Sequence, residues 1–525
     1  MSARVCLNGG AAFCIALGTA CGGGSEGTAP VTPPPTITPA IAISVVPGAV
    51  TLEQGSTAPA TVTLTRTNYT GAVSLTATGL PPGVSLAGTT TTTGTNADAA
   101  LAAVADAATA TSSVTVTASG TGVASVSAAL TLTVVALIGT RVVRQFCGPT
   151  QGRPVWVAAQ TGTGTWRQLT RGPTDTYTFG VSGTSGLALA SKSGDNDYAL
   201  TVLAGSLADF QHFAAQPCVS PGARTLSATF VGVGSGESGL LYAGRAVGFT
   251  TAASNNVQVS GVEDGPVDLV ALRRLSSTPT PLKLIIRPSI NPAGSGPLTP
   301  LDFGGSEAFD PVTFTATVTN PLPGERFSPS AQFQTARGTS LLLAAAAAED
   351  GPDVAGFAVP GARTASGDVQ SFLVAASATP TLPSASRAVL TMYRVPQDRS
   401  VTLGPPLGPV TASVVSTSPY VRVSAQYARQ SEYSGGTTLF LSQLVPGGSR
   451  SAFVQLMGAG EFDRAIPDFS AVAGWSPVFG IQPGTPVIWN LIAYTWTGAP
   501  LVGTFPTRAD GVLFRQAGRA GMLSP

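Results

Sequence analysis

From Ile41 to Val135 apolar residues alternate with polar ones at a period of two: Val62 and Leu64, Val73 and Leu75, Val84 and Leu86, Val114 and Val116, then Leu130, Leu132 and Val134. A period of two places every second side chain on one face of a strand, so each segment buries one face and wets the other. Turn signals divide the run at near-regular intervals, at Gly55-Ser56, Asn68-Tyr69-Thr70-Gly71, Pro81-Pro82-Gly83 and Gly120-Thr121-Gly122. About seven short strands in about 95 residues describe a two-sheet sandwich. The alanine-rich stretch from Ala99 to Ala110 has the composition of a helix, but its place in the series suits another strand.

Residues carry a resemblance here. Gln54-Gly55, the strand from Val62 to Arg66, Gly71-Ala72-Val73-Ser74-Leu75 and Gly79-Leu80-Pro81-Pro82-Gly83-Val84 resemble the bacterial immunoglobulin-like repeats of secreted and adhesive proteins. The resemblance covers this first module alone. It implies a spacer or a binding surface and implies no enzyme.

At 525 residues the chain exceeds one core, and three to five domains are expected. After Arg141 aromatics enter at Trp156, Trp166, Tyr177 and Phe179, which marks a second domain. A third unit runs from Arg224 to Arg274; its Gly261-Val262-Glu263-Asp264-Gly265-Pro266-Val267 resembles the ending of small carboxypeptidase-regulatory-like sandwiches. The proline-rich stretch Pro279 to Pro300 reads as a boundary, and Pro405-Pro406 as another. The expected organisation is a signal peptide at 1–20, a Gly/Pro-rich tether at 21–39, an immunoglobulin-like sandwich at 40–136, a cysteine-bracketed β domain at 140–220, a small sandwich at 221–278, and β domains at 279–405 and 406–525. The fold class is therefore all-β: several tandem β-sandwich modules after a disordered N-terminus. Within it one short helical turn is expected at Leu207-Ala208-Asp209-Phe210, and Leu341 to Ala348 is the strongest helical candidate of its region, with a buried strand as the rival reading.

Met1 to Ala20 carries Arg4, an apolar stretch, and a small-residue ending before Cys21, the pattern of an export signal. It resembles the bacterial lipoprotein signal, in which the cysteine is acylated and becomes the new terminus; Gly18 occupies the position where that family carries an aliphatic residue. The resemblance implies a lipid on Cys21 and the membrane as partner, with an ordinary cleaved signal and a free Cys21 as the rival reading. Gly22-Gly23-Gly24-Ser25 and the five prolines between Pro30 and Pro39 would hold the modules off the membrane. Once Cys6 and Cys14 leave with the signal, Cys147 and Cys218 remain as an even pair in an oxidising compartment, either bridged or as two buried thiols. Export to the cell envelope or outer surface follows from both readings.

Charge narrows the partners. With 27 basic and 26 acidic residues the net charge is +1, so no field gathers phosphates and nucleic acid is not expected as a partner. Mean hydropathy is positive at +0.29, yet no apolar run reaches the ~18 residues of a spanning helix.

Catalytic signals are sparse, and the chain is expected to be no enzyme, with no cofactor and no metal centre. Its one histidine, His212, cannot supply a triad together with a metal site. Glycoside hydrolysis needs only two acids across a cleft, and Asp302, Glu307 and Asp310, or Glu461, Asp463 and Asp468, are the candidates. Most acids in such turns are solvated.

Asp195, Asn196 and Asp197 offer oxygen ligands suited to calcium, against the plainer reading of an Asx-rich turn. Trp475, Trp489 and Trp496, with Tyr494, form a candidate platform for sugar rings. Against that, Val487 to Trp496 is apolar on both faces, the pattern of a fully buried strand. Three functions remain: a non-enzymatic envelope lipoprotein of unknown ligand, an adhesion or carbohydrate-binding protein with a cell-surface glycan or protein as partner, and a glycan hydrolase.

Overall fold

The computed structural model describes residues 38–146, 154–172, 175–214, 224–250, 254–278, 280–292, 297–345, 350–378, 382–458, 460–497 and 509–525. Cys6, Cys14, Cys21, Cys147 and Cys218 lie outside the described residues, as does the side chain of His212.

The first module folds as the alternation dictates. Strands Ala49–Glu53, Val126–Val135, Ala110–Gly120, Val73–Thr78 and Thr91–Thr92 form one sheet. Ala40–Val46, Ser56–Thr67, Asn96–Ala103 and Val84–Gly88 form the facing one. Val62, Leu64, Val73, Leu75, Val114, Val116, Leu130 and Leu132 meet between them as a buried core. The alanine-rich stretch is divided: Ala99 to Ala103 end the strand Asn96–Ala103, paired on both sides so that ladder hydrogen bonds override helical composition, residues 104–109 turn, and Ala110 opens the next strand.

The chain is all-β, as the sequence reads, but its sandwiches are not beads on a string. One 16-stranded sheet runs through the molecule. It leaves the first module where Gln168 and Leu169 pair with Thr57 and Ser56. It continues through Pro154–Gln160, Ser185–Lys192 and Tyr198–Gly205, and there Tyr198–Gly205 pairs in parallel with Gly448–Met457. Beyond lie Gly436–Val445, Val487–Trp496, Leu513–Leu523 and Ser384–Tyr393.

The expected separation of 140–220 from 406–525 therefore fails. Trp156, Ala158, Ala188 and Leu200 are buried in one core with Tyr420, Val423, Leu439 and Val454. Two pieces of chain that share both a ladder and a core cannot be independent domains.

The boundary drawn at 278 moves as well. Pro281–Ile290 is a strand beside Val267–Leu275, and Leu301 and Phe303 enter the core of the small sandwich. Pro281 takes the first position of its strand, where a missing N–H is tolerated. Leu341 to Ala348, the helical candidate, begins as the strand Ser340–Ala345 against Arg326–Gln334, and residues 346–349 lie outside the described residues. A short apolar run forms whichever structure its neighbours complete. The expected helical turn is present as Leu207–Ala214.

A shared core predicts shared unfolding. Leu200→Ala removes a fully buried side chain, with an expected cost of roughly 2–5 kcal/mol. Hydrogen exchange should speed up together in 154–205 and in 410–496 while the first module keeps its protection; two separate responses would contradict the single core.

Candidate functional site

Where the first module meets the rest, the short strand Arg167–Leu169 lies between two stretches of chain and carries the junction. Thr170 Oγ1 donates to Ser56 O at 2.6 Å and sits 2.7 Å from Thr57 Oγ1. Arg167 Nη2 donates to Glu53 Oε1 at 2.8 Å, and the same oxygen accepts the Ile138 N–H at 2.8 Å. Burial lowers the Arg167 pKa and the Glu53 carboxylate opposes the shift, so the guanidinium stays charged and paired. Gly55 turns the chain here at φ +76°, and a Cβ on it would stand 3.0 Å from Thr178 O.

Two solvent-open hollows of 630 and 410 Å³ lie along this junction and share Thr57, Pro59, Gln168 and Ala473. The two adjoin at these four residues and are named the junction groove. The outward face of strand Ser56–Thr67 supplies Thr57, Pro59 and Thr61 on one bank. The other bank holds three of the chain's five tryptophans, Trp156, Trp166 and Trp475.

Phe469 organises them. Trp156, Trp166 and Trp475 each stand 5.0 to 5.1 Å from its ring. Trp156 meets Trp475 edge-on at 4.9 Å and donates its Nε1–H to Ala473 O at 2.9 Å, which holds the loop carrying Trp475. Trp166 lies over Gly186, where a Cβ would come within 2.6 Å of the indole. Gly474, at φ +68°, lets the Gln168 amide approach its backbone, and a Cβ there would stand 2.6 Å from Gln168 Nε2. The indole N–H of Trp475 is buried with no acceptor among the described residues.

The three tryptophans expected as one platform are thus divided. Trp475 lines the groove. Trp489 packs inward beside Leu441 and over Gly521. Trp496 lies at an even position of the same strand, on the opposite face, with its ring tilted against Phe514 at 4.3 Å. That strand is not buried on both sides as its composition suggests: Val487, Leu491 and Ala493 are covered, whereas Ile488 is 45% exposed and its partner Met522 58%. Phe440 and Phe453, stacked at 4.7 Å, continue this open face.

The Asp195 loop meets an arginine. Asn196 O and Oδ1 accept from Arg450, whose Nη2 stands 2.8 Å from Oδ1. Asp197 Oδ1 accepts from Ser449 N at 2.8 Å and from Ser449 Oγ at 2.7 Å. Arg450 is 3% exposed and also lies over the Tyr198 ring, so a built-in guanidinium occupies oxygens that the sequence offers to calcium. No group of three or more His, Cys, Asp or Glu able to hold a metal occurs among the described residues.

Five of the six candidate acids are engaged locally. Glu307 forms a two-pronged pair with Arg287 at 2.7 Å, and Asp310 meets Lys283 at 2.9 Å. Asp302 caps the Gly304 N–H, Asp463 accepts from Gln426, and Asp468 holds Ser470 and Arg422. Glu461 is exposed. A 710 Å³ hollow brings Glu307 near Asp268 and Asp368, yet Asp268 accepts from Ser289 N and Arg337, and Asp368 from Ala336 N and Ala365 N.

No protein-family model and no curated protein matches the chain. Among solved structures it is similar to domains 4–9 of the surface layer protein SbsC, at 9% identity and a TM-score of 0.15, over 86% of this chain and 63% of that one. The chain thus spans less than two thirds of that structure. It is also similar to a tetra-tandem repeat from the extending region of a large adhesion protein, at 11% identity and a TM-score of 0.12, over 92% and 99%. A third is the Bacteroides ovatus mixed-linkage glucan utilization locus protein SGBP-B, in complex with a mixed-linkage heptasaccharide, at 9% identity and a TM-score of 0.13, over 61% and 91%. Likeness at this level carries no argument about ligand or role.

The groove's tryptophan bank depends on Tyr420, which stacks on Trp475 at 5.1 Å, donates to Pro467 O and accepts from Phe469 N. Burial pushes its phenol up to about 12, against the opposing pull of the Phe469 amide. An unfolded tyrosine ionises near pH 10, so the neutral phenol's contribution is complete below about 10 and is lost as pH rises toward about 12. Urea midpoints measured from pH 9 to 12 should fall across that window, and less steeply in Tyr420→Phe; equal slopes would remove Tyr420 as a cause.

Proposed function

We propose that this chain is an exported, non-catalytic protein of the cell envelope, anchored by a lipid on Cys21, whose fused sandwiches hold a binding groove away from the membrane. The observation that carries the binding part is the junction groove, with the partly exposed Trp166 and Trp475 on one bank and the buried Trp156 packed behind them. Sites at the meeting of two modules, with aromatic walls and a few placed polar groups, are where ligands are usually taken. Support for the non-catalytic part is that every candidate acid except the exposed Glu461 is held by a cation, a side-chain amide or a backbone amide. A general acid must instead be free to exchange its proton with substrate.

The anchor reading rests on the signal ending at Ala20 and on the Gly/Pro tether behind it. Two or three acyl chains, at ~0.8 kcal/mol per buried methylene, hold a protein stably on a membrane.

Mass spectrometry of the mature chain should find an acylated Cys21 at its terminus, and Cys21→Ser should release the protein from the membrane fraction. A mature terminus elsewhere, or membrane retention of the serine variant, would overturn the anchor.

A further inference from the structure

We propose that the junction groove binds a neutral polysaccharide chain, laid across the joint between the first module and the tryptophan bank. This rests on the binding role proposed above and adds the chemistry of the ligand.

Shape comes first. The two hollows fall in the range of about 300–1,000 Å³ that each take a small ligand. Adjoining at Thr57, Pro59, Gln168 and Ala473 and open to solvent, they suit successive units of a polymer better than one enclosed molecule.

Chemistry narrows the class. A sugar ring has apolar C–H faces and a rim of hydroxyls that both donate and accept. The groove pairs the partly exposed indoles of Trp166 and Trp475, backed by the buried Trp156, with hydroxyl and amide groups from Thr57, Thr61, Thr165 and Gln168. Such groups donate and accept as hydroxyls do.

Charge then excludes the rivals. Arg167 is neutralised by Glu53 at 2.8 Å, and Arg171 by Asp175 at 2.7 Å. Asp98, exposed on the first-module bank, leaves the groove with a negative rather than a positive bias. Uronates, sulfated glycans and nucleic acids find no positive field there to draw them in. The open face around Phe440, Phe453 and Met522 offers aromatics too, but it lacks comparable walls and serves as the control surface.

The test is affinity electrophoresis of the full chain through gels containing neutral polymers (β-glucans, xylan, galactomannan, starch), with polygalacturonate and heparin alongside. At least one neutral polymer should retard the protein. Trp166→Ala and Gln168→Ala should each weaken that retardation, the former about tenfold or more. Thr61→Trp, a plug on the outward face of its strand, should abolish it, and Phe453→Ala should leave it unchanged. Thermal melts identify any variant that fails to fold; Thr61→Trp and Gln168→Ala alter lining positions outside the tryptophan cluster and keep the test decisive.

Retardation by no neutral polymer, retardation by the polyanions alone, or retardation that survives Thr61→Trp would overturn the proposal. The state of Cys21 is read independently, so loss of the sugar assignment and loss of the envelope role are distinguishable.

Discussion

Tyr198–Gly205 and Gly448–Met457 lie about 250 residues apart in sequence, and they form one parallel ladder. The rest of the architecture follows from that pairing. Parallel neighbours require a long crossover, and here the crossover is residues 206–447, 242 residues of chain that include the small sandwich and the unit after it. The returning chain then sets Leu513–Leu523 against Ser384–Tyr393, so the excursion is tied to the same sheet from its far side. Strands that would otherwise present bare N–H and C=O groups at module edges satisfy one another instead.

Legibility in the sequence tracked sequence distance. The first module was readable because its alternation and turns are local, and its facing strands lie within 95 residues. The partition of the remainder was not, because no local signal reports that Trp156 and Tyr420 will share a core. Proline at 281 read as punctuation although a strand tolerates it at its start. The site divided the same way. Period two alone places Trp489 and Trp496 on opposite faces, so the platform's failure was visible in their odd spacing. The groove was not visible, since its tryptophans come from segments some 310 residues apart. Nor does anything near Asp195 announce Arg450.

Scarcity of charge makes each arginine informative. Only 10% of residues are charged, and several arginines act as internal cross-links. Arg387 is buried with Glu325 in a two-pronged pair and also donates to Gly404 O and Asn320 O. Arg273 grips Glu237 in the same way, and Arg450 staples the Asn196 turn to the neighbouring hairpin. The planar fork of guanidinium suits this work, since it reaches two acceptors with one set geometry. Surface wetness is left to threonine and serine.

The ladder joining the first module to the remainder is two residue pairs long, Gln168 with Thr57 and Leu169 with Ser56. If the body is tethered through Cys21 as proposed and loaded farther along, so short a seam is where bending concentrates. A polymer seated in the groove touches both sides of that seam. Occupancy and rigidity would then be one event: the stalk stiffens as it takes hold, and it yields again when it lets go.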